Sequence, residues 1–215
     1  MTTTRDGSPV DLYLRLPPRG EAELVHEAIP AGAEILELGC GVGRVTHELL
    51  RLGHPVVAVD ESPEMLAHVR DAVTVCSRIE ELELGRRFRC VLLMSNLVNT
   101  ETAERSELLA ACERHVAADG LVLIERHEPH WQPEEGVGRP LGEMTVSLEE
   151  IRTDQGRVSA TVRYEAEGKT WRHSFTAHIL GDAELSASLA AAGLELSAVL
   201  DDASRWVAAA PILQA

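Results

Sequence analysis

Glu37-Leu38-Gly39-Cys40-Gly41-Val42-Gly43 is the stretch on which the reading of this chain turns. A short apolar strand, Glu34–Leu38, runs into it. A helix with Val42, Val45, Leu49 and Leu50 on one face leaves it, closed by Gly53 as a C-terminal cap. Glycines at 39, 41 and 43 let the backbone turn sharply and let a ligand press on the main chain without meeting Cβ atoms. A dinucleotide fingerprint needs its third glycine one place later, to bring the helix close to a pyrophosphate. Position 44 is arginine, so the spacing is GxGxG.

Outward from this loop, strands and helices alternate from about residue 21 to 125. A helix over Glu21–Ile29 buries Leu24, Val25, Ala28 and Ile29 and stops at Pro30. Pro55–Val59 is a second strand. Ser62 caps a helix with Pro63 in its first turn and Met65, Leu66 and Val69 on its buried side. Val73–Val75 and Phe88–Met94 are further strands, Glu104–Ala118 is a helix ending at Asp119-Gly120, and Leu121–Glu125 is a fifth strand. Continuous apolar strands between amphipathic helices predict a parallel sheet covered on both faces. The fold expected is α/β, Rossmann-like and doubly wound, with a mostly parallel seven-stranded sheet. Ligands in such sheets bind at the carboxyl ends of the strands, where the loop lies.

After the fifth strand the apolar period changes from 3.6 to two. Met144, Val146 and Leu148 alternate, as do Val158, Ala160, Val162 and Tyr164, and then Trp171, Phe175, Ala177 and Ile179. Asp154-Gln155-Gly156 and Glu167-Gly168-Lys169 read as turns between them. Three antiparallel strands are therefore expected as an insertion over 141–181 in a single domain spanning 1–215. A helix over Asp182–Ala192, a cap at Gly193, and strands Leu194–Val199 and Trp206–Ala209 return to the α/β rhythm.

Composition bounds the function. The 215 residues are 45% apolar and 26% charged, enough to bury a core. No apolar run is long enough to span a bilayer, and Met1–Gly20 shows no apolar signal region. A cytoplasmic protein without a membrane partner is expected. The net charge of −15 argues against nucleic acid, a polyanion that would be repelled. Cys40, Cys76, Cys90 and Cys112 form no CxxC pair and have no histidine at ligand spacing, so no metal is expected and all four read as small core residues.

Asp60 follows the second strand, some 20 residues after the glycine loop, where an acid can accept from both ribose hydroxyls of a nucleoside. Ser62 and Met65 follow at a spacing that sets Met65 beside an adenine ring. On these residues the chain resembles the class I S-adenosylmethionine-dependent methyltransferase family. Ile35–Thr46, ILELGCGVGRVT, and Val56–Leu66, VVAVDESPEML, look like its first two motifs; Phe88–Thr100 and Gly120–Glu125 look like its fourth and fifth strands. The likeness is good over about 20–127 and weak over the last 30 residues.

The resemblance implies that S-adenosyl-L-methionine is bound and leaves as S-adenosyl-L-homocysteine. Glu37, Gly39 and Gly41 would hold its methionyl part, Asp60 the ribose, and Ile79 and Met65 the adenine, with Gly43 and Ser62 also among the cofactor-binding residues. Many members carry an acid after the third strand; here the residues are Cys76-Ser77-Arg78-Ile79, and Ser77 stands in for it. Ser95, after the fourth strand, and Arg19, facing the cofactor carboxylate, complete the set. The acceptor implied is a small molecule, methylated at nitrogen or oxygen and less readily at carbon. The insertion would serve as a lid or as the surface of a homodimer.

Displacement at a sulfonium needs an in-line nucleophile and a dry pocket, and some acceptors also need a base. Base candidates after the fifth strand are Glu125, His127, Glu128 and His130, with His127 first. His173 shares the apolar phase of Trp171 and Phe175, so all three would touch the substrate if that face roofs the site. Two other classes fit an α/β chain: a NAD(P)-dependent oxidoreductase, and a cofactor-binding protein without catalysis. Arg44 in place of the third glycine, and the absence of a Tyr-x-x-x-Lys pair, weigh against the oxidoreductase.

Overall fold

The computed structural model describes residues 9–213. Of the Met1–Gly20 segment read for a signal, residues 1–8 lie outside the described residues. Eleven strands and six α-helices are built by the described residues. Helix α1 (Val10–Tyr13) precedes α2 (Glu21–Ala28), β1 (Ile35–Leu38), α3 (Arg44–Arg51), β2 (Val56–Asp60), α4 (Pro63–Leu66), β3 (Val73–Cys76) and β4 (Phe88–Leu93). Then come a 3-10 turn at Leu97–Asn99, α5 (Thr102–His115) and β5 (Val116–Glu125). Strands β6 (Arg139–Leu141), β7 (Met144–Asp154), β8 (Arg157–Ala166) and β9 (Lys169–His178) follow, then α6 (Asp182–Ala191), β10 (Leu194–Val199) and β11 (Trp206–Pro211).

The main sheet has seven strands in the order β10-β11-β5-β4-β1-β2-β3. Pairs from β3 to β5 are parallel, and β11 runs antiparallel to both its neighbours. The chain leaves β1 toward β2 on one side and returns to β4 on the other, so the strand order reverses at β1. That reversal opens a crevice beyond the carboxyl ends of β1 and β4.

The strands' alternation divides the core between two layers. Leu36, Leu38, Val91, Leu93, Val122 and Ile124 pack with Leu108, Leu109, Leu185 and Leu189 of α5 and α6. Ile35, Val56, Ala58, Leu92 and Leu123 pack with Val25, Val45 and Leu49 of α2 and α3. Each Val, Leu or Ile side chain so buried contributes roughly 1.5–3 kcal/mol relative to exposure.

Three expectations change. Helix α5 stops at His115, because Val116 is already extended and pairs with Phe88 in the sheet. Strand β5 then carries an irregularity, in which Phe88–Cys90 of β4 spans Val116–Leu121. Gly120 sits at that point because a Cβ there would lie 2.8 Å from the Phe88 carbonyl and 2.9 Å from that of Arg89. The insertion has four strands rather than three, in the order β6-β7-β8-β9, since Arg139–Leu141 also pairs with β7. Cys76 is exposed at the end of the edge strand β3, whereas Cys40, Cys90 and Cys112 are buried.

The turns of the insertion follow their residues. Gln155 and Gly156 have φ of 47° and 78°, and Glu167 and Gly168 have 49° and 75°. Two consecutive positive φ values match the twist of flanking antiparallel strands, as in a type I′ hairpin. Register follows: Asp154 pairs with Arg157, and Ala166 with Lys169. Period-two patterning turns Val162, Tyr164, His173 and Phe175 toward the main sheet's crevice. The opposite face carries an ion-paired ladder of Arg163 and Arg172 with Glu149.

Candidate active site

A cavity of about 490 Å³ lies between the carboxyl edge of the main sheet and the inner face of the inserted one. Its floor is the glycine loop. Gly39 and Gly41 take φ of 74° and 57°, and the space where a Gly41 Cβ would stand is open for 4 Å. A Cβ on Gly39 would instead lie 3.0 Å from Leu97 and 3.9 Å from Ile79. Gly43, φ 81°, starts α3 with His47 and Val69 closing on it. Its role is therefore in the packing of the loop and not in the cavity lining.

Glu37 is 1% exposed yet contributes to the lining. Thr46 Oγ1 donates to its Oε2 at 2.5 Å. Burial pushes its carboxyl up to about 7, against the pull of the Thr46 hydrogen bond and the Arg44 charge. Asp60 stands behind the loop. Its Oδ2 accepts the Gly41 N–H at 2.8 Å and its Oδ1 the Ser62 N–H at 2.9 Å. Each oxygen keeps a lone pair for a further donor. Ser77 hangs from the Asp60 carbonyl by its N–H, 3.1 Å, while its hydroxyl donates to Arg78 O.

Ser62 and Met65 are held by local structure. The Ser62 hydroxyl accepts the Met65 N–H as the α4 cap and donates to Glu64. Met65 is 3% exposed and packs with Val10 and Val42. Asp60, Ser62, Met65, Ser77 and Ile79 thus gather on the β2–β3 side of the loop, next to the cavity but outside its lining.

On the β4–β5 side, Ser95 and Asn96 both adopt left-handed φ, 56° and 58°. Such strain persists where surroundings over-determine it. Here the Ser95 N–H donates to Glu125 Oε2 at 2.8 Å, and Arg19 lies 3.7 Å from the other Glu125 oxygen. Arg19 Nε also donates to Glu21, as does Arg44 at 2.8 Å. Burial works to raise the Glu21 carboxyl, but the Arg44 guanidinium and backbone donors hold it below the usual range. Arg19 is thus set at the cavity wall by two carboxylates.

His127 is on the cavity wall, as expected. Its N–H donates to Asn99 Oδ1 at 2.8 Å, and Asn99 Nδ2 donates to the His178 carbonyl at 2.6 Å, tying the β5 loop to β9. The imidazole stacks on Trp131 with centroids 4.4 Å apart and lies 6.2 Å from Phe175. Burial pushes it down to about 4, so the ring is neutral at physiological pH. Glu128 and His130, the other candidates of that loop, are exposed and outside the lining. Glu125 is engaged by Ser95 and Arg19.

His173 and Phe175 line the cavity, whereas Trp171 does not. Its indole N–H needs a partner once buried, and it donates to Asp11 Oδ2 at 3.0 Å while the ring packs with Leu12 and Met144. Trp171 therefore ties α1 to the insertion. Tyr13 and Tyr164 of the lining were not foreseen as site residues. Burial, helped by Tyr13, pushes Tyr164 up to about 12, so its hydroxyl stays protonated. Burial and the Glu37 and Asp60 charges likewise push the Cys40 thiol far up, which removes it as a nucleophile.

An α/β sheet of this order with a glycine loop at its switch point defines the class I methyltransferase fold. Residues 35–120 match the model of the methyltransferase domain family. Over those residues the chain is similar to the methyltransferase domain, and as a whole it shares the fold of the class I S-adenosylmethionine-dependent methyltransferases. It is 36% identical over 120 residues to the dTDP-3-amino-3,6-dideoxy-alpha-D-glucopyranose N,N-dimethyltransferase of Streptomyces fradiae, covering 53% of this chain and 46% of that protein. The match thus spans about half of that relative's length. Two solved structures share the fold. The CcbJ methyltransferase of Streptomyces caelestis has a TM-score of 0.78 at 20% identity, over 98% of this chain and 99% of that one. The sugar N-methyltransferase KedS8 of Streptoalloteichus sp ATCC 53650 has 0.73 at 21%, over 98% and 96%.

Proposed function

We propose that this protein transfers a methyl group from S-adenosylmethionine to the nitrogen of a small-molecule acceptor in secondary metabolism. One observation carries the reading: a single cavity joins the glycine loop at Glu37–Val42 to the aromatic wall of His127, Trp131 and Phe175. The residues present fit the donor. The open space over Gly41 admits a ligand against the backbone, Glu37 offers a carboxyl to an ammonium, and Asp60 faces the loop with lone pairs to spare. When bound, the donor supplies an electrophilic methyl on a sulfonium that departs as a neutral thioether.

The chain's own part is positioning and desolvation. Glu37, Gly39, Gly41 and Arg19 would hold the methionyl end, with Ser95 beside it. Asp60 and Ser62 would take the ribose, and Ile79, Met65 and Ser77 the adenine side. The acceptor nitrogen uses its lone pair to form the new N–C bond and afterwards releases a proton to water. His127, neutral and half-buried, would accept a hydrogen bond from that nitrogen, and His173 would flank it. A ring held down to about 4 is too weak a base for an alcohol, which favours nitrogen over oxygen.

Of the two roles weighed for the insertion, we favour the lid, since its inner face lines the cavity and its outer face is charged. A homodimer would form on another surface, and light scattering reads it. No helix among the described residues is long and apolar enough to cross a membrane; the net charge of −15 supports an acceptor other than nucleic acid. Calorimetric titration with S-adenosylmethionine and with NAD tests the donor, and S-adenosylhomocysteine release from a panel of amines and phenols tests the acceptor. Binding of NAD in place of S-adenosylmethionine would overturn the reading, and release with phenols alone would move it to oxygen.

A further inference from the structure

The acceptor half of the cavity differs from a phosphate site. Besides the aromatic wall, the cavity is lined by Leu16, Leu141, Leu148, Val162 and Ala177, and its neutral polar groups include Tyr164, Asn99 and Thr176. Among the described residues, the guanidinium groups of the lining are those of Arg19 and Arg44, and both are held by Glu21. Arg19 is further drawn to Glu125 at 3.7 Å. At the opposite side stands Glu104, which accepts from Thr100. Next to it, Glu101 pairs with Arg157 and lies 3.2 Å from the His178 ring, so the guanidinium there is also matched. Phosphate recognition relies on unpaired arginines, lysine or helix N-termini that can form forked hydrogen bonds. Arg19, half exposed, is engaged by Glu21 and Glu125, and its remaining donors go to the methionyl carboxylate in the reading above, so it offers none to an acceptor phosphate.

We propose that the acceptor is a phosphate-free amine with an apolar body, such as an amino sugar already joined to a hydrophobic aglycone. It would not be a nucleoside-diphosphate sugar. This rests on the methyl-transfer reading above. The stacked wall of Trp131 and His127 takes one flat apolar face, while the aliphatic side chains of β7, β8 and β9 take the rest. The acidic rim at Glu104 favours an ammonium over a diphosphate as the approaching charge.

The test uses the purified full chain with S-adenosylmethionine and one 3-amino sugar in two forms, as its dTDP conjugate and as its 4-nitrophenyl glycoside. The expected result is a kcat/KM at least tenfold higher for the glycoside, with dTDP itself no inhibitor at millimolar concentration. Phe175→Ala should raise KM for the glycoside about tenfold and leave S-adenosylmethionine affinity, read by calorimetry, unchanged. A lower KM for the dTDP conjugate, or competitive inhibition by dTDP, overturns the proposal and leaves the methyl-transfer reading standing. If neither form turns over while phenols do, the nitrogen reading falls and this inference with it. Phe175→Ala without effect on KM removes the apolar wall as the recognition surface and also overturns it.

Discussion

Asp60 and Gly41, 19 residues apart in sequence, are joined by a 2.8 Å hydrogen bond from the Gly41 N–H to an Asp60 carboxylate oxygen. The end of one parallel strand thereby sets the loop that follows its neighbour. Asp60 is then part of the loop's geometry as well as the ligand proposed for a ribose. Asp60→Ala is expected to weaken S-adenosylmethionine binding by about 10–100-fold, the effect of losing a charge-assisted hydrogen bond of roughly 1.5–3 kcal/mol. Asp60→Asn, which keeps an acceptor for one donor, should lose less. Calorimetric titration of both variants checks the order.

The buried carboxyl of Glu37 has a signature in pH. Its folded pKa, pushed up by burial to about 7, lies above the unfolded value of 4.5. The protonated form is favoured by folding, so this contribution to stability is present below about pH 4.5 and is lost as pH rises through 7. Ligand-free Glu37→Gln should lack that loss in denaturant titrations between pH 5 and 8. In the wild type, S-adenosylmethionine should bind more tightly as pH rises through 7, because the ionised carboxylate pairs with its ammonium.

His127 has the opposite slope. Burial lowers its folded pKa to about 4, below the unfolded value of 6.5. Its stabilising effect is present above pH 6.5 and is lost as pH falls toward 4, where the unfolded chain takes up a proton that the folded chain resists. His127→Gln should flatten stability over that acid range. Its kcat should fall about tenfold, the size of one hydrogen bond. At saturating S-adenosylmethionine, the wild-type kcat/KM profile for the acceptor should follow the ionisation of its amine, with no inflection from His127 between pH 5 and 8.

Gly120 offers a test of the fold alone. A methyl group there would meet two β4 carbonyl oxygens closer than 3 Å. Gly120→Ala should destabilise the protein by about 1–3 kcal/mol, as overpacking does, and lower Tm by several degrees in a thermal scan. S-adenosylmethionine affinity measured well below Tm should be unchanged.

Much of the parallel core was legible because its signals are local. Apolar strands, Pro63 after Ser62, and glycines at 39, 41, 43 and 53 each act within a few residues, and the structure places them as read. Boundaries failed where a long-range partner decided them. Helix periodicity runs through Val116, but pairing with Phe88 draws it into the sheet. Arg139–Leu141 has no strand pattern of its own and becomes a strand only beside Met144–Val146. Tyr13 gave no signal at all, since a four-residue helix reaches the cavity only by docking on the insertion through Trp171 and Asp11.

For the site, sequence order alone determined the glycine loop, Asp60 and the position of His127 after the fifth strand. Those depend on where a strand ends, which is a property of a dozen neighbouring residues. Only the tertiary structure decided that His173 and Phe175 face the cavity while Trp171 does not. It alone also showed that Arg19 and Arg44 are already claimed by Glu21. Charge pairing and desolvation act across space rather than along the chain, so the same loop admits many acceptors until the opposing wall is built.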